Sequence, residues 1–263
     1  MAQLFFVERG DASAPPIVFL HGFPFDHTMW QAQLEALSSR YRCIAPDLRG
    51  YGRSPMLSTT KPWTMDDFAE DVVRLLDGLG IARATVCGLS MGGYIAFALW
   101  RNHRARLSRL ILANTKAQGD SEQAKANRRR QAELVRTQGM RPLADEMLPK
   151  LLAPSASLHV VEAVRAMIEH TPVETVLATL PALAERPDMS RALGAINVPT
   201  LILVGDQDAI SPVSEAQFMQ AHIPNARLVV IPNAGHLSPM EQPAAFNQAV
   251  LAFLSETDAG NAS

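Results

Sequence analysis

The chain has 263 residues, 48% of them hydrophobic, with 24 basic against 26 acidic residues and a net charge of −2. That is enough apolar material for a full globular core, and the balanced charge argues against nucleic acid or an anionic membrane surface as a partner. The opening MAQLFFVERG holds an apolar run too short for a secretory leader, and no stretch approaches the roughly 18 apolar residues of a membrane span, so cytoplasmic is the default reading.

In chain order, QLFFVE, PPIVFLHG, RCIAPD, ATVCG, SRLILANT, TLILVGD and ARLVVIPN read as strands. Several are almost continuously apolar, the pattern of strands buried on both faces of a parallel sheet. Helical patterns over 28–37, 64–79, 90–102, 212–221 and 243–254 alternate with them, which predicts an α/β fold with a mostly parallel central sheet flanked by helices. Cys43 and Cys87 fall in strand-like runs and read as small buried hydrophobes, not as a bridge or a metal pair.

One interval breaks the alternation. About 85 residues between Thr115 and Thr200 carry no good strand, only the helical patterns EQAKANRRRQAELVRTQ, PLADEMLPKLL, SLHVVEAVRAMIEH and PVETVLATLPALAE. We therefore expect residues 1–115 and 200–263 to form the core and residues 116–199 an inserted helical cap. Residues 256–263, ETDAGNAS, are expected to be a disordered tail. The basic run KANRRRQAELVR in the cap has acidic neighbours and reads as a solvated helix face, not a nucleic-acid site.

The segment GLSMGG, residues 88–93, lies between a strand and a helical pattern and fits G-x-S-x-G. In that motif a sharp strand-to-helix turn lifts a serine hydroxyl above the sheet in strained backbone geometry, and small neighbours are needed where the turn is crowded. Ser90 is then a candidate nucleophile, and the free backbone N–H of Met91 at the helix start can stabilise an oxyanion. A serine hydroxyl needs a base, and the base needs an orienting partner. His236, in the loop NAGHLSP after a strand, is the best-placed base, at the carboxyl end of the sheet. His103, His159, His170 and His222 fall in helical patterns and read as surface or capping residues, and His27 as a loop or helix-start residue.

With HGFPFDHTMW, DLRGYGRS, GLSMGG, VGDQDAISP and NAGHLSPMEQP in that order, the chain resembles the α/β-hydrolase superfamily in its capped esterase and enol-lactonase-like branch. The resemblance covers nearly the whole chain. It implies a Ser, acid, His triad in that order, an oxyanion hole of two backbone amides and a helical lid inserted after the sixth strand. The start of this chain is short for the usual N-terminal hairpin. The acid follows from the family's G-x-x-D pattern, which read from Gly205 lands on Asp208, with Asp206 as the local alternative. No acid stands at Ala113, Asn114 or Thr115, where some relatives carry it. The second oxyanion amide is that of Phe23, while His21, Asp47 and Arg49 brace their loops. Phe25, Trp30, Trp63 and Leu237, with Phe23 and Met91, are candidates for an apolar substrate pocket, several of them equally readable as core.

The resemblance implies a serine hydrolase that cleaves small carboxylic esters through an acyl-enzyme, with no cofactor and no metal. Alternatives in the same class are an enol-lactonase of the 3-oxoadipate type, a C–C bond hydrolase and a perhydrolase. A catalytically weak ligand receptor on the same fold is the alternative from another class. An aspartate nucleophile is excluded because position 90 is serine. A lactonase of that type needs a cation for its substrate carboxylate, and Arg128, Arg129 and Arg130 are the concentrated supply.

Overall fold

The seven apolar runs pair into one sheet. In the computed structural model, which describes residues 4–56 and 61–260, the strands are β1 (Phe6–Arg9), β2 (Pro16–Leu20), β3 (Arg42–Pro46), β4 (Ala84–Leu89), β5 (Leu107–Ala113), β6 (Thr200–Gly205) and β7 (Arg227–Ile231). Their spatial order is β1-β3-β2-β4-β5-β6-β7, with β1 antiparallel to β3 and every other pair parallel. All residues of β4 and β6 are buried, as their unbroken apolar sequences require of strands covered on both faces.

The helices are α1 (Gln31–Leu37), α2 (Met65–Gly78), α3 (Met91–His103), α4 (Glu122–Gln138), α5 (Met140–Leu151), α6 (Leu158–His170), α7 (Val173–Ala184), α8 (Val213–His222), α9 (Ser238–Glu241) and α10 (Pro243–Gly260). Local sequence sets their starts: Thr64 and Asp67 close a reciprocal capping box on α2, and Ser121 and Ser157 cap α4 and α6. Helices α4 to α7 fill the interval between β5 and β6. Threonines spaced four apart tie this insertion to the core. Thr171 donates to the Pro24 carbonyl at 2.9 Å, Thr175 donates to that of Gly50 at 2.7 Å, and Tyr51 donates to the Thr179 hydroxyl at 2.9 Å.

The strand order doubles back between β2 and β4, where β3 lies to one side and β5 to the other. In parallel α/β sheets the crevice outside the carboxyl ends at such a switch point is where ligands bind. Gly22 and Phe23 follow β2, and Ser90 follows β4 directly.

At the chain ends, the short start expected from the sequence holds among the described residues and the expected disordered tail does not. A single described strand, β1, stands where the family resemblance implies a hairpin, so the insertion follows the fifth strand of this chain; Gln3, in the expected first strand, lies outside the described residues. The tail expected to be disordered from residue 256 is helical to Gly260, and residues 261–263 lie outside the described residues. Tertiary partners hold it: Asp258 accepts from Tyr41 at 2.9 Å and from Arg109 at 2.5 Å, and Glu256 pairs with Arg227 at 2.7 Å. Composition alone cannot reveal those partners. Both cysteines are buried and free, and burial pushes both thiols up in pKa.

Candidate active site

Ser90 sits at φ 53° and ψ −111°, a left-handed conformation that is strained for a residue with a side chain. The neighbours explain why the turn needs glycines. A Cβ on Gly88 would lie 2.2 Å from the Gly92 carbonyl oxygen, and one on Gly92 would lie 2.1 Å from that of Leu20. The turn is fixed from behind. The Ser90 amide donates to Ala113 at 3.0 Å, and the Ser90 carbonyl accepts from Gly93, Tyr94 and the Thr115 hydroxyl at 2.9 to 3.2 Å.

His236 and Asp208 meet in the loops after β7 and β6. His236 Nδ1 lies 3.0 and 2.9 Å from the two Asp208 carboxylate oxygens, an arrangement that suits an Nδ1–H donor and leaves Nε2 as an acceptor. Asp208 also accepts from the Asn114 side-chain amide, the Ser211 hydroxyl and the Ile210 and Ser211 backbone amides, all at 2.8 to 2.9 Å. Burial pushes the Asp208 carboxyl up, but the facing His236 and these hydrogen bonds outweigh it and hold the group at about 2. Asp206 is exposed and, among the described residues, accepts only from the Ala234 amide, at 3.2 Å, which is a turn role. The two carboxylates are thus distinguished by geometry.

Ser90 and His236 line one cavity of about 190 Å³ together with Phe23 and Met91. Among the described residues, Ser90 Oγ makes no hydrogen bond, and the backbone N–H groups of Phe23 and Met91 have no protein acceptor. Catalytic hydrogen bonds of this kind commonly tighten only when substrate is bound. Phe25, Trp30, Trp63 and Leu237, the other pocket candidates, are absent from the lining. They are core residues: Trp30 packs between Phe19 and Phe246, Trp63 stands edge-on to Phe68, and Phe25 and Leu237 are fully buried.

Apart from Tyr94 and Ile210, the rest of the wall comes from α4, α5 and α7, and much of it is polar: Asn127, Arg128, Gln131, Glu146 and Lys150. Of the three arginines noted in the sequence, only Arg128 lines the cavity. Its Nε is engaged by Asp120, a carboxylate shared with Arg186. Arg130 pairs with Glu146 at 2.8 Å, and Arg129 is exposed. Lys150 has no ion-pair partner among the described residues.

The bracing residues behave as their sequence suggested. His21 Nδ1 lies 2.9 Å from the Gly22 carbonyl and its Nε2 accepts from Leu48 at 3.0 Å, joining the loops after β2 and β3, and burial lowers its pKa. Arg49 pairs with Asp71 at 2.5 Å and donates to the Asp67 carbonyl. Asp26, His27 and Asp47 bring possible metal-ligating atoms within 4.8 Å of one another. Each already has protein partners, however. Asp47 accepts from the His27 amide and ring and from the Arg53 amide, and Asp26 caps Thr28. Sequence reasoning missed Asn114, Ser211 and Glu241. For Ser211 and Glu241 the signal was their place in motifs whose other positions had obvious chemistry, and for Asn114 its place at the strand end where some relatives carry the acid.

Comparison with known proteins gives the same architecture. A family model described as the alpha/beta hydrolase fold matches residues 15–243. The chain is 35% identical to 3-oxoadipate enol-lactonase 2 of Acinetobacter baylyi over 93% of this chain and 90% of that protein. Among solved structures, an esterase from Thermogutta terrifontis with malate bound superposes with a TM-score of 0.92 at 46% identity, covering 96% of this chain and 93% of the other. The enol-lactonase from Burkholderia xenovorans LB400 superposes with a TM-score of 0.88 at 33% identity, covering 96% of each chain. With a family-model match spanning most of its length and a sheet that carries the serine turn at its switch point, this chain belongs to the α/β-hydrolase fold family.

Proposed function

We propose that the protein is a serine hydrolase cleaving small carboxylic esters with Ser90, His236 and Asp208 as its triad, and that helices α4 to α7 act as a cap over the serine. The observation that carries this reading is the bidentate approach of His236 Nδ1 to a carboxylate held at about 2, in a cavity shared with the strained Ser90. His236 Nε2 takes the Ser90 proton as Oγ attacks the ester carbonyl. Asp208 fixes the tautomer and stabilises the imidazolium. The Phe23 and Met91 amides face the oxygen where negative charge develops. The tetrahedral intermediate collapses, the alcohol leaves with the proton returned from His236, and water repeats the sequence on the acyl-enzyme to release the acid.

The cavity volume favours short acyl chains of about two to six carbons, since added methylenes gain affinity only until the space is filled. A second reading, a substrate bearing its own carboxylate as an enol-lactone does, is favoured by Arg128 and Lys150 in the lining. The test is steady-state kcat/KM across neutral p-nitrophenyl esters and carboxylate-bearing lactones. Turnover lost in Ser90→Ala supports the hydrolase. Failure to turn over any of them would favour a ligand receptor on the same fold. A hundredfold preference for a lactone would replace the simple-ester reading.

A further inference from the structure

The loop that carries His236 is held by a single carboxylate outside the triad. Glu241, at the end of α9, turns back on its own helix start: Oε1 accepts from the Gly235 amide at 3.0 Å and from the Leu237 amide at 3.2 Å, one on each side of His236. The amide between them, that of His236, donates to the Leu151 carbonyl at the end of α5, at 2.8 Å. The other Glu241 oxygen accepts from Ala153, two residues past Leu151, at 2.7 Å. Four hydrogen bonds therefore close a ring through the His236 loop, Glu241 and the α5–α6 connection. Gly235 permits the approach, because a Cβ there would lie 2.7 Å from the Ala153 nitrogen and 2.9 Å from the Leu151 oxygen.

We infer that Glu241 is a positioning residue for His236, fixing the backbone on both sides of the base and locking it to the cap. This rests on the triad reading above. A carboxylate suits the task because it accepts on both oxygens and donates on neither. A glutamine has one oxygen and an NH₂ group, so at least one of the three amides must face a donor. A base displaced by a fraction of an ångström still binds substrate but reaches the serine proton poorly.

The test uses the full chain as Glu241→Gln, with competent Ser90 counted by fluorophosphonate titration run to completion. We expect kcat per titrated site to fall about tenfold to a hundredfold while KM stays within about threefold. Amide exchange at Gly235, Leu237 and Ala153 is expected to be slow in wild type and to quicken together in the variant. A purely structural role would lower the titrated fraction and leave kcat per titrated site unchanged, which would overturn the inference. If the variant does not fold, the wild-type exchange decides alone: loop-like rates at these three amides would overturn the clamp. A wild type whose Ser90 is not labelled would instead refute the triad, a distinguishable failure.

Discussion

The two walls of the Ser90 cavity are built differently. On the core side, Asp208 and His236 are buried and almost fully partnered, with bonds to the Asn114 strand end, to the neighbouring Ser211 loop and, from the His236 amide, to the Leu151 carbonyl of α5. On the insertion side, Arg128 is partly exposed and paired with the buried Asp120, while Lys150 is exposed and has no ion-pair partner among the described residues. Fixed, desolvated groups suit chemistry, whose geometry must not relax. Charged groups that reach solvent suit discrimination among substrates. On the proposed triad, reaction type belongs to the core wall and substrate choice to the insertion wall, and substitutions on the two walls should part accordingly.

The largest effect is expected from the core wall. Ser90→Ala should lower kcat/KM on short esters by about 10⁶ with the thermal transition preserved, because triad members act as a unit. Next, Asp208→Asn should cost about 10³ to 10⁴ in kcat, whereas Asp206→Asn should change it by less than about twofold. The reverse ordering would move the acid to Asp206.

Asp208 also links the site to acid stability. Its folded pKa of about 2 lies below the ordinary carboxylate value, so its contribution is present above about pH 4 and is lost as pH falls towards 2. Urea unfolding at several pH values should show wild type losing on the order of 2 kcal/mol across that window from this group, a loss missing in Asp208→Asn.

The smallest effect is expected from the insertion wall. Arg128→Ala and Lys150→Ala should each lower kcat/KM by about tenfold on carboxylate-bearing substrates, the cost of one charge-assisted contact, and by little on neutral esters. Arg129→Ala, outside the lining, serves as the control. Equal losses on both substrate types would erase the distinction between the walls.

The core wall was largely legible in the sequence, because its chemistry depends on local patterns. GLSMGG announces a crowded turn, and the apolar strands announce where that turn sits. Asn114 illustrates what was hidden. It was noticed only as a position lacking an acid, yet its side-chain amide supports Asp208 from a different strand, a contact 94 positions away in sequence. Glu241 stood in view within NAGHLSPMEQP, and only the fold brings Ala153 to it. The pocket aromatics were misplaced for a related reason. Trp30 and Trp63 are apolar and lie near motif loops, but position near a motif does not say which side of a sheet a side chain faces. The insertion wall was legible as helices and not as a surface, since which arginine of three reaches the cavity depends on how α4 packs on α5 and α7.

On the proposed triad, Ser90, activated by His236, is the reacting group. Incubation with a fluorophosphonate followed by peptide mapping tests it directly, because Oγ displaces fluoride from phosphorus and leaves a stable adduct. A Ser90 nucleophile activated by His236 gives one adduct per chain, on Ser90, formed rapidly in wild type and far more slowly in a folded His236→Ala variant. An adduct on another residue, or an unlabelled Ser90 in protein that still turns over esters, would contradict it.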